Sequence, residues 1–248
     1  MKALVTGASS GIGLSIANSL LDLGYEVFVV ARDKEKLEKS FKNKNNVHII
    51  ATDLRKSDSC YRLHETLKTK NIDILINNAG FGDAGNFVKT SLKKELDMIN
   101  LNVISYHILT KLFLQDFVAR DRGRILNVAS MAGFMPGPYM ATYYATKSYI
   151  VNLTFAIQKE LAREKSRVHL SMFCPGPVST NFNSVANVKF NIPSLSTEEA
   201  AKIAIEGMFQ NKKVIIPNNM KLNYALIKMS PMSLVLATNS KVQERVEE

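Results

Sequence analysis

Three side chains in the middle of the sequence could act together on a carbonyl group. Tyr143 and Lys147, in "YYATK", stand four residues apart, a spacing that puts both on one face of a helix. A phenol titrates near pH ~10 in water and is a poor acid or base at neutrality. A nearby ammonium stabilises the phenolate and brings the phenol towards the range useful for proton transfer. Tyr144 offers a second phenol next door. Ser130 closes an apolar run thirteen residues before Tyr143. Its hydroxyl could hydrogen-bond a carbonyl oxygen beside the phenol, polarising that group for attack at carbon. The plainer alternatives are one exposed helical turn for the pair and a strand-end cap for Ser130.

A nicotinamide dinucleotide needs a cradle for its phosphates. "TGASSGIG", Thr6 to Gly13, lies between the first apolar run and the first helical pattern, where glycines permit tight backbone geometry and a helix N-terminus attracts phosphate. Its spacing is G-x-x-x-G-x-G through Gly7, Gly11 and Gly13, with Ser9, Ser10 and Ile12 between them. A simple strand-to-helix turn with Ser9 or Ser10 near the N-cap would share these features, but the position after an N-terminal strand points to a dinucleotide. The second apolar run ends in "VVARD". An acid there would accept from the adenosine ribose, whereas Arg32 can pair with a 2′-phosphate, so NADP(H) is favoured over NAD(H). Asp33 could face the same ribose. Asp53, followed by Leu54, ends the third run, where its carboxylate could accept from the adenine amino group or cap the next segment.

These residues fall at the ends of predicted elements. Strands are expected at 3–7, 26–31, 47–53, 73–78, 124–130, 168–174 and 213–217, and helices at 12–23, 34–41, 58–70, 90–118 and 142–164. Most strands are apolar almost throughout, as a sheet covered on both faces requires. The alternation predicts an α/β fold, a doubly wound Rossmann-type three-layer sandwich with a seven-stranded parallel sheet. Ligands of such sheets bind beyond the carboxyl ends of the strands. No repeat or linker interrupts the pattern, so residues 1–248 read as one domain.

Composition narrows the remaining classes. The chain has 46% hydrophobic and 22% charged residues, typical of a globular protein. The first strand begins at Lys2, which leaves no room for a leader peptide ahead of it. No run of ~18 apolar residues predicts a membrane-spanning helix. Cys60 and Cys174 have neither metal nor redox spacing, and read as free buried thiols in a cytoplasmic protein. The four histidines show no metal spacing, and no metal site is expected. The net charge of +10 raises the question of a polyanionic partner. Acids and bases alternate in "DKEKLEK" and "LAREKSR", however, and no recognition motif accompanies them, so nucleic acid is not expected.

Taken in order, "TGASSGIG", "NNAG" (77–80), Asn102 in "NLNV", Ser130, "YYATK" and "PGPVST" (175–180) resemble the short-chain dehydrogenase/reductase family, in its compact single-domain branch. The resemblance covers residues 1–217. It implies that Ser130 orients the carbonyl, Tyr143 is the general acid or base, and Lys147 lowers the pKa of Tyr143 while binding the nicotinamide ribose. It assigns Asn102 to holding a water in the proton relay. Asn78, Ala79 and Gly80 would support the cofactor, and Pro175, Gly176, Val178 and Thr180 the nicotinamide side, with Thr180 near the carboxamide. Many NADPH-preferring members carry a basic residue just before the middle glycine; Ser10 stands there, so selectivity rests mainly on Arg32.

Residues 181–196 break the regular pattern and are expected to form a substrate lid. Phe182, Val185, Phe190 and Ile192, with Phe134, Met135 and Met140, would either line an apolar cleft or anchor the loop to the core. The extension 218–248 mixes Lys221 and Lys228 with Leu, Ile and Met around Pro231. It would pack on the core or a neighbouring subunit, or lie on a membrane. The expected activity is reduction of a carbonyl, reversible as alcohol oxidation. A 3-oxoacyl thioester leads, followed by a free ketone, an aldehyde or a steroid-like alcohol. The expected assembly is a homodimer or homotetramer. A catalytically silent nucleotide sensor or scaffold on the same fold is the alternative.

Overall fold

The computed structural model describes residues 1–186, 188–190 and 194–245. The first half of the chain contains β1 (Lys2–Thr6), α1 (Gly11–Asp22), β2 (Glu26–Ala31), α2 (Lys34–Ser40), β3 (Val47–Ala51), α3 (Ser57–Leu67) and β4 (Ile74–Asn77). The second continues through α4 (Leu92–Ile99), α5 (Ser105–Ala119), β5 (Arg124–Val128), α6 (Ala141–Arg163), β6 (His169–Phe173), α7 (Phe182–Ala186), β7 (Val188–Phe190), α8 (Thr197–Phe209) and β8 (Val214–Ile215). It closes with α9 (Asn218–Met229), α10 (Met232–Val242) and β9 (Gln243–Arg245).

Seven strands form one parallel sheet in the order β3-β2-β1-β4-β5-β6-β8. Strand order reverses between β1 and β4, which opens a crevice at the carboxyl ends of these two strands. Alternation along β1 explains the three layers. Ala3 and Val5 pack with Ile16 and Leu20 of α1 and Ala204 and Met208 of α8. Leu4 points the other way, into a core with Leu63 of α3, Phe113 of α5 and Leu161 of α6. The expected seven-stranded doubly wound sheet is therefore present.

Element boundaries differ for local reasons. β3 ends at Ala51 because Asp53 turns back to accept from the Arg55 backbone N–H at 3.1 Å. β5 ends at Val128, and Ser130 instead caps a 3-10 turn by accepting from Ala132 N–H at 3.1 Å. The long helical stretch from 90 is two helices joined by a π-turn at Asn100–Ile104. Residues 181–196 contain a short helix and a strand, since β7 pairs antiparallel with β9 near the chain's end. Downstream, α8 opens with a reciprocal capping box between Ser196 and Glu199.

Buried amides link the sheet to its helices. The Asn77 amide of β4 donates to Asn127 Oδ1 of β5 and Thr110 Oγ1 of α5, each at 3.0 Å. Asn127 in turn donates to Thr154 Oγ1 of α6 at 3.0 Å. Both asparagines are fully buried. Both cysteines are buried free thiols. His107 instead lies exposed on α5, hydrogen-bonded to the Tyr149 hydroxyl at 2.7 Å.

Candidate active site

A cavity of about 550 Å³ runs along the carboxyl ends of the central strands, large enough for a small-molecule ligand. At its floor, β1 delivers the chain into the glycine turn. Gly7 adopts φ +67°, and a Cβ there would stand 2.8 Å from the Ala79 Cα. Only glycine meets both demands. Thr6 Oγ1 accepts from the Asn78 and Ala79 backbone N–H groups at 2.9 and 3.1 Å, while the Asn78 amide donates to the Thr6 carbonyl at 2.9 Å. "TGASSGIG" and "NNAG" are thereby tied into one platform. Gly7, Ser9, Ser10, Gly11, Ile12, Asn78, Ala79 and Gly80 line the cavity. Gly13 lies behind it, where a side chain would collide with the Gly7 carbonyl and the Asn78 amide. Ser10 occupies the N-cap position of α1 without capping it by its side chain.

Pro175, Gly176, Val178 and Thr180 form the opposite wall. Thr180 approaches the glycine turn so closely that a Cβ on Gly11 would meet its Cγ2 at 3.1 Å. At the far end stand Arg32, Lys36, Thr52 and Leu54. Asp33 caps α2, accepting from the Lys36 N–H at 2.9 Å, which commits one carboxylate oxygen to the helix. Asp53 does not line the cavity. Arg55 grips its carboxylate through Nε at 3.0 Å and a terminal nitrogen at 2.6 Å, and reaches on to Asp97 at 2.9 Å. That hydrogen bonding holds the Asp53 carboxyl below its usual range.

At the other end, Ser130, Tyr143 and Lys147 share the cavity wall. Tyr143 and Lys147 lie one turn apart on α6 and are both buried. Burial pushes the Tyr143 phenol well up from its ordinary value, opposed by a hydrogen bond with Ser130. The phenol thus shifts opposite to the lowering anticipated from Lys147: desolvation dominates, and the opposing effect comes from Ser130. Lys147 Nζ donates to the Val128 carbonyl at 2.9 Å, and burial lowers this ammonium to about 8. Asn102 sits in the π-turn behind the wall. Its Oδ1 accepts from Phe81 N–H at 3.1 Å, and its amide donates to the Phe81 carbonyl at 2.9 Å and Thr146 Oγ1 at 3.2 Å. Both amide N–H groups of the side chain are engaged within the protein.

Of the two alternatives, Phe182, Val185 and Met135 take the first and line the cavity, with the Phe182 ring centred 5.2 Å from that of Tyr143. Met140 is buried in the packing beneath them, and Phe134 packs on Tyr224 of α9, ring centres 4.8 Å apart. Phe190 belongs to β7, while Ile192 lies outside the described residues. Among the wall residues that sequence reasoning missed are Lys36, Met220 and Asn239. Lys36 was hidden in a helix face of alternating charge. Met220 and Asn239 arrive from α9 and α10, and Asn239 donates to the Pro136 carbonyl at 2.9 Å while accepting from Tyr144 at 3.4 Å.

The chain matches the family model described as short chain dehydrogenase over residues 1–190. It is 29% identical over 255 residues to a very-long-chain 3-oxoacyl-CoA reductase of Anas platyrhynchos, spanning 98% of this chain and 81% of that protein. Among solved structures it resembles a short-chain dehydrogenase from Sphingobium yanoikuyae in complex with NADPH, with a TM-score of 0.83 and 26% identity over 94% of both chains. A family member from Burkholderia phymatum in complex with NAD shares the fold, with a TM-score of 0.82 and 21% identity over 91% of this chain and 92% of that one.

Proposed function

The chain belongs to the short-chain dehydrogenase family of oxidoreductases, and we propose that it reduces a hydrophobic carbonyl compound, foremost a 3-oxoacyl thioester, with NADPH. The observation that carries this reading is one cavity holding Ser130, Tyr143 and Lys147 at one end and Arg32 with Lys36 at the other. Between them, the glycine turn lines the cavity, with Gly7 closing onto Ala79 and Gly11 onto Thr180 where no side chain would fit, so the residues present fit a dinucleotide. Backbone N–H groups at the start of α1 would hold its diphosphate. Two cations at the adenosine end match a 2′-phosphate better than a bare ribose; no acid other than the capping Asp33 stands with them in the cavity wall.

Held there, a nicotinamide coenzyme would supply hydride to the carbonyl carbon. Ser130 and Tyr143 donate hydrogen bonds to the carbonyl oxygen, stabilising charge as it develops there. The raised pKa of Tyr143 keeps its proton in place at neutral pH, as an acid requires, and the phenol passes that proton to the nascent alkoxide. Lys147 uses one of its three donors on Val128 and has two for the ribose hydroxyls. Asn102, Phe81 and Thr146 fix the platform against α6. Apolar walls from Phe81, Met135, Phe182, Val185 and Met220 suit an acyl chain, and the duck relative carries a name of that substrate class.

The decisive experiment follows NADPH consumption across oxoacyl thioesters, ketones, aldehydes and steroids, with Tyr143→Phe in parallel. Turnover that disappears in the variant supports the assignment. Tight NADPH binding without turnover of any compound would favour a nucleotide sensor.

A further inference from the structure

The helical arm α9–α10 is apolar on the side it packs and on the side it shows. Met220, Tyr224 and Ile227 of α9 recur at helical spacing and turn inward, with Met220 against Gly176 and Tyr224 on Phe134. Leu222, Leu226 and Met229 recur at the same spacing on the outside and are 70%, 54% and 85% exposed. α10 continues the pattern. Val235 and Asn239 are its buried described residues, while Met232, Leu234 and Leu236 are exposed. A helix that carries apolar residues on both its packed and its outer face is normally enclosed, and a concentration of exposed Leu and Met marks a binding surface.

Charge identifies the occupant. From residue 207 to residue 243 the chain carries Lys212, Lys213, Lys221, Lys228 and Lys241, and no Asp or Glu. Lys221 and Lys228 lie exposed on α9 itself, and the Lys228 ammonium stands 4.9 Å from the centre of the Tyr224 ring. A symmetric contact with a second copy would press these lysines against their own counterparts with no acid in the segment to pair with them. A layer with negative headgroups above an apolar interior satisfies both features. Among the described residues no helix is long and apolar enough to cross a membrane, so the contact considered is with the bilayer surface.

We propose that α9 and α10 dock on an anionic phospholipid surface, with Leu222, Leu226, Met229 and Met232 entering the acyl boundary and the lysines resting on the headgroups. The arm lies beyond the residues matched by the family model, and through Met220 and Asn239 it also walls the cavity. The docking is independent of what the cavity turns over.

The test is sedimentation of the full chain with vesicles of phosphatidylcholine alone or mixed with phosphatidylserine. Binding is expected to the mixed vesicles and to weaken with salt. It should fall at least about tenfold in Leu226→Asp/Met229→Asp, given the apolar burial lost, and about fivefold for each lysine in Lys221→Glu and Lys228→Glu. The chain has no tryptophan, so Met229→Trp supplies a single reporter whose emission should shift to the blue on mixed vesicles, without reliance on the aspartate variants' folding. No sedimentation of the wild type, or no emission shift, overturns the proposal. So does a wild-type oligomer that Leu226→Asp/Met229→Asp dissociates, which would make this face a contact between copies.

Discussion

Lys147 and Tyr143 share a helical face without a hydrogen bond between them: Nζ rests on the Val128 carbonyl at 2.9 Å and lies 5.8 Å from the centre of the Tyr143 ring. Under the proposed mechanism, burial that raises the phenol keeps it protonated, as a proton donor in reduction needs. Alcohol oxidation would first require the phenol to ionise against that burial.

Removing the donor should separate chemistry from binding. Tyr143→Phe is expected to lower kcat at least ~10²-fold, while the NADPH dissociation constant stays within a factor of two or so of wild type, as fluorescence titration would read. Ser130→Ala should lower kcat too, and additionally cost about 1 kcal/mol of stability, because Ser130 also caps the turn at Met131–Phe134. Unchanged turnover in both variants would reject the proposed proton path.

The adenosine end makes its own prediction. Arg32→Asp should move preference towards NADH, and Lys36→Ala should weaken NADPH binding about tenfold through loss of a charge-assisted contact worth about 1.5 kcal/mol. NADH affinity should hardly change in Lys36→Ala. Equal losses for both coenzymes would place the 2′-phosphate elsewhere.

Lys147 predicts a pH signature. With its ammonium lowered to about 8, reduction should decline as pH rises through that value, because the positive charge that favours the phenolate product disappears. Stability should move the other way. The unfolded lysine titrates near ~10.4, so from about 8 upward the unfolded chain binds more protons than the folded one, and this group's contribution rises until about 10. Chemical denaturation at several pH values should show wild type gaining on Lys147→Met across that window. A constant difference would contradict the lowered pKa.

Asn239 joins α10 to the loop before α6, donating to Pro136 and accepting from Tyr144. Asn239→Leu should leave the Pro136 carbonyl without that donor, destabilising the protein by about 1–3 kcal/mol. It should also raise KM more than it changes kcat, since the loosened loop carries Met135 in the cavity wall. A normal KM would make the contact structural alone.

Residues that act locally were readable in the sequence; those that act through distant packing were not. The glycine turn, Arg32, Ser130 and the Tyr143–Lys147 spacing each sit at a strand end or on one helix face, so period and turn chemistry located them. Lys36 looked like one more solvated base in "DKEKLEK", and its place in the cavity follows from the way α2 leaves β2. Asp53 was legible as a carboxylate at a strand end, but the Arg55 guanidinium that holds it, and that also reaches Asp97 of α4, was not. Met220 and Asn239 return from far along the chain to complete a wall begun by the first strand. The sign of the Tyr143 shift depends on burial, which spacing alone does not measure.

The asparagines beneath the site have a consequence for how the protein folds. Central parallel strands that are apolar on both faces give burial little power to tell the native alignment from one slipped by two residues. Hydrogen bonding discriminates where burial does not. A slip of β5 along β4 would separate Asn127 from Asn77 and strand their amides in dry surroundings, at about 1–3 kcal/mol for each unpaired group. The amides thus act as a proofreading element, rejecting collapsed chains in which the central strands have zipped one notch out of step. Ser130 lies three residues beyond Asn127 on the same chain, so the same proofreading decides whether its hydroxyl ends within reach of Tyr143.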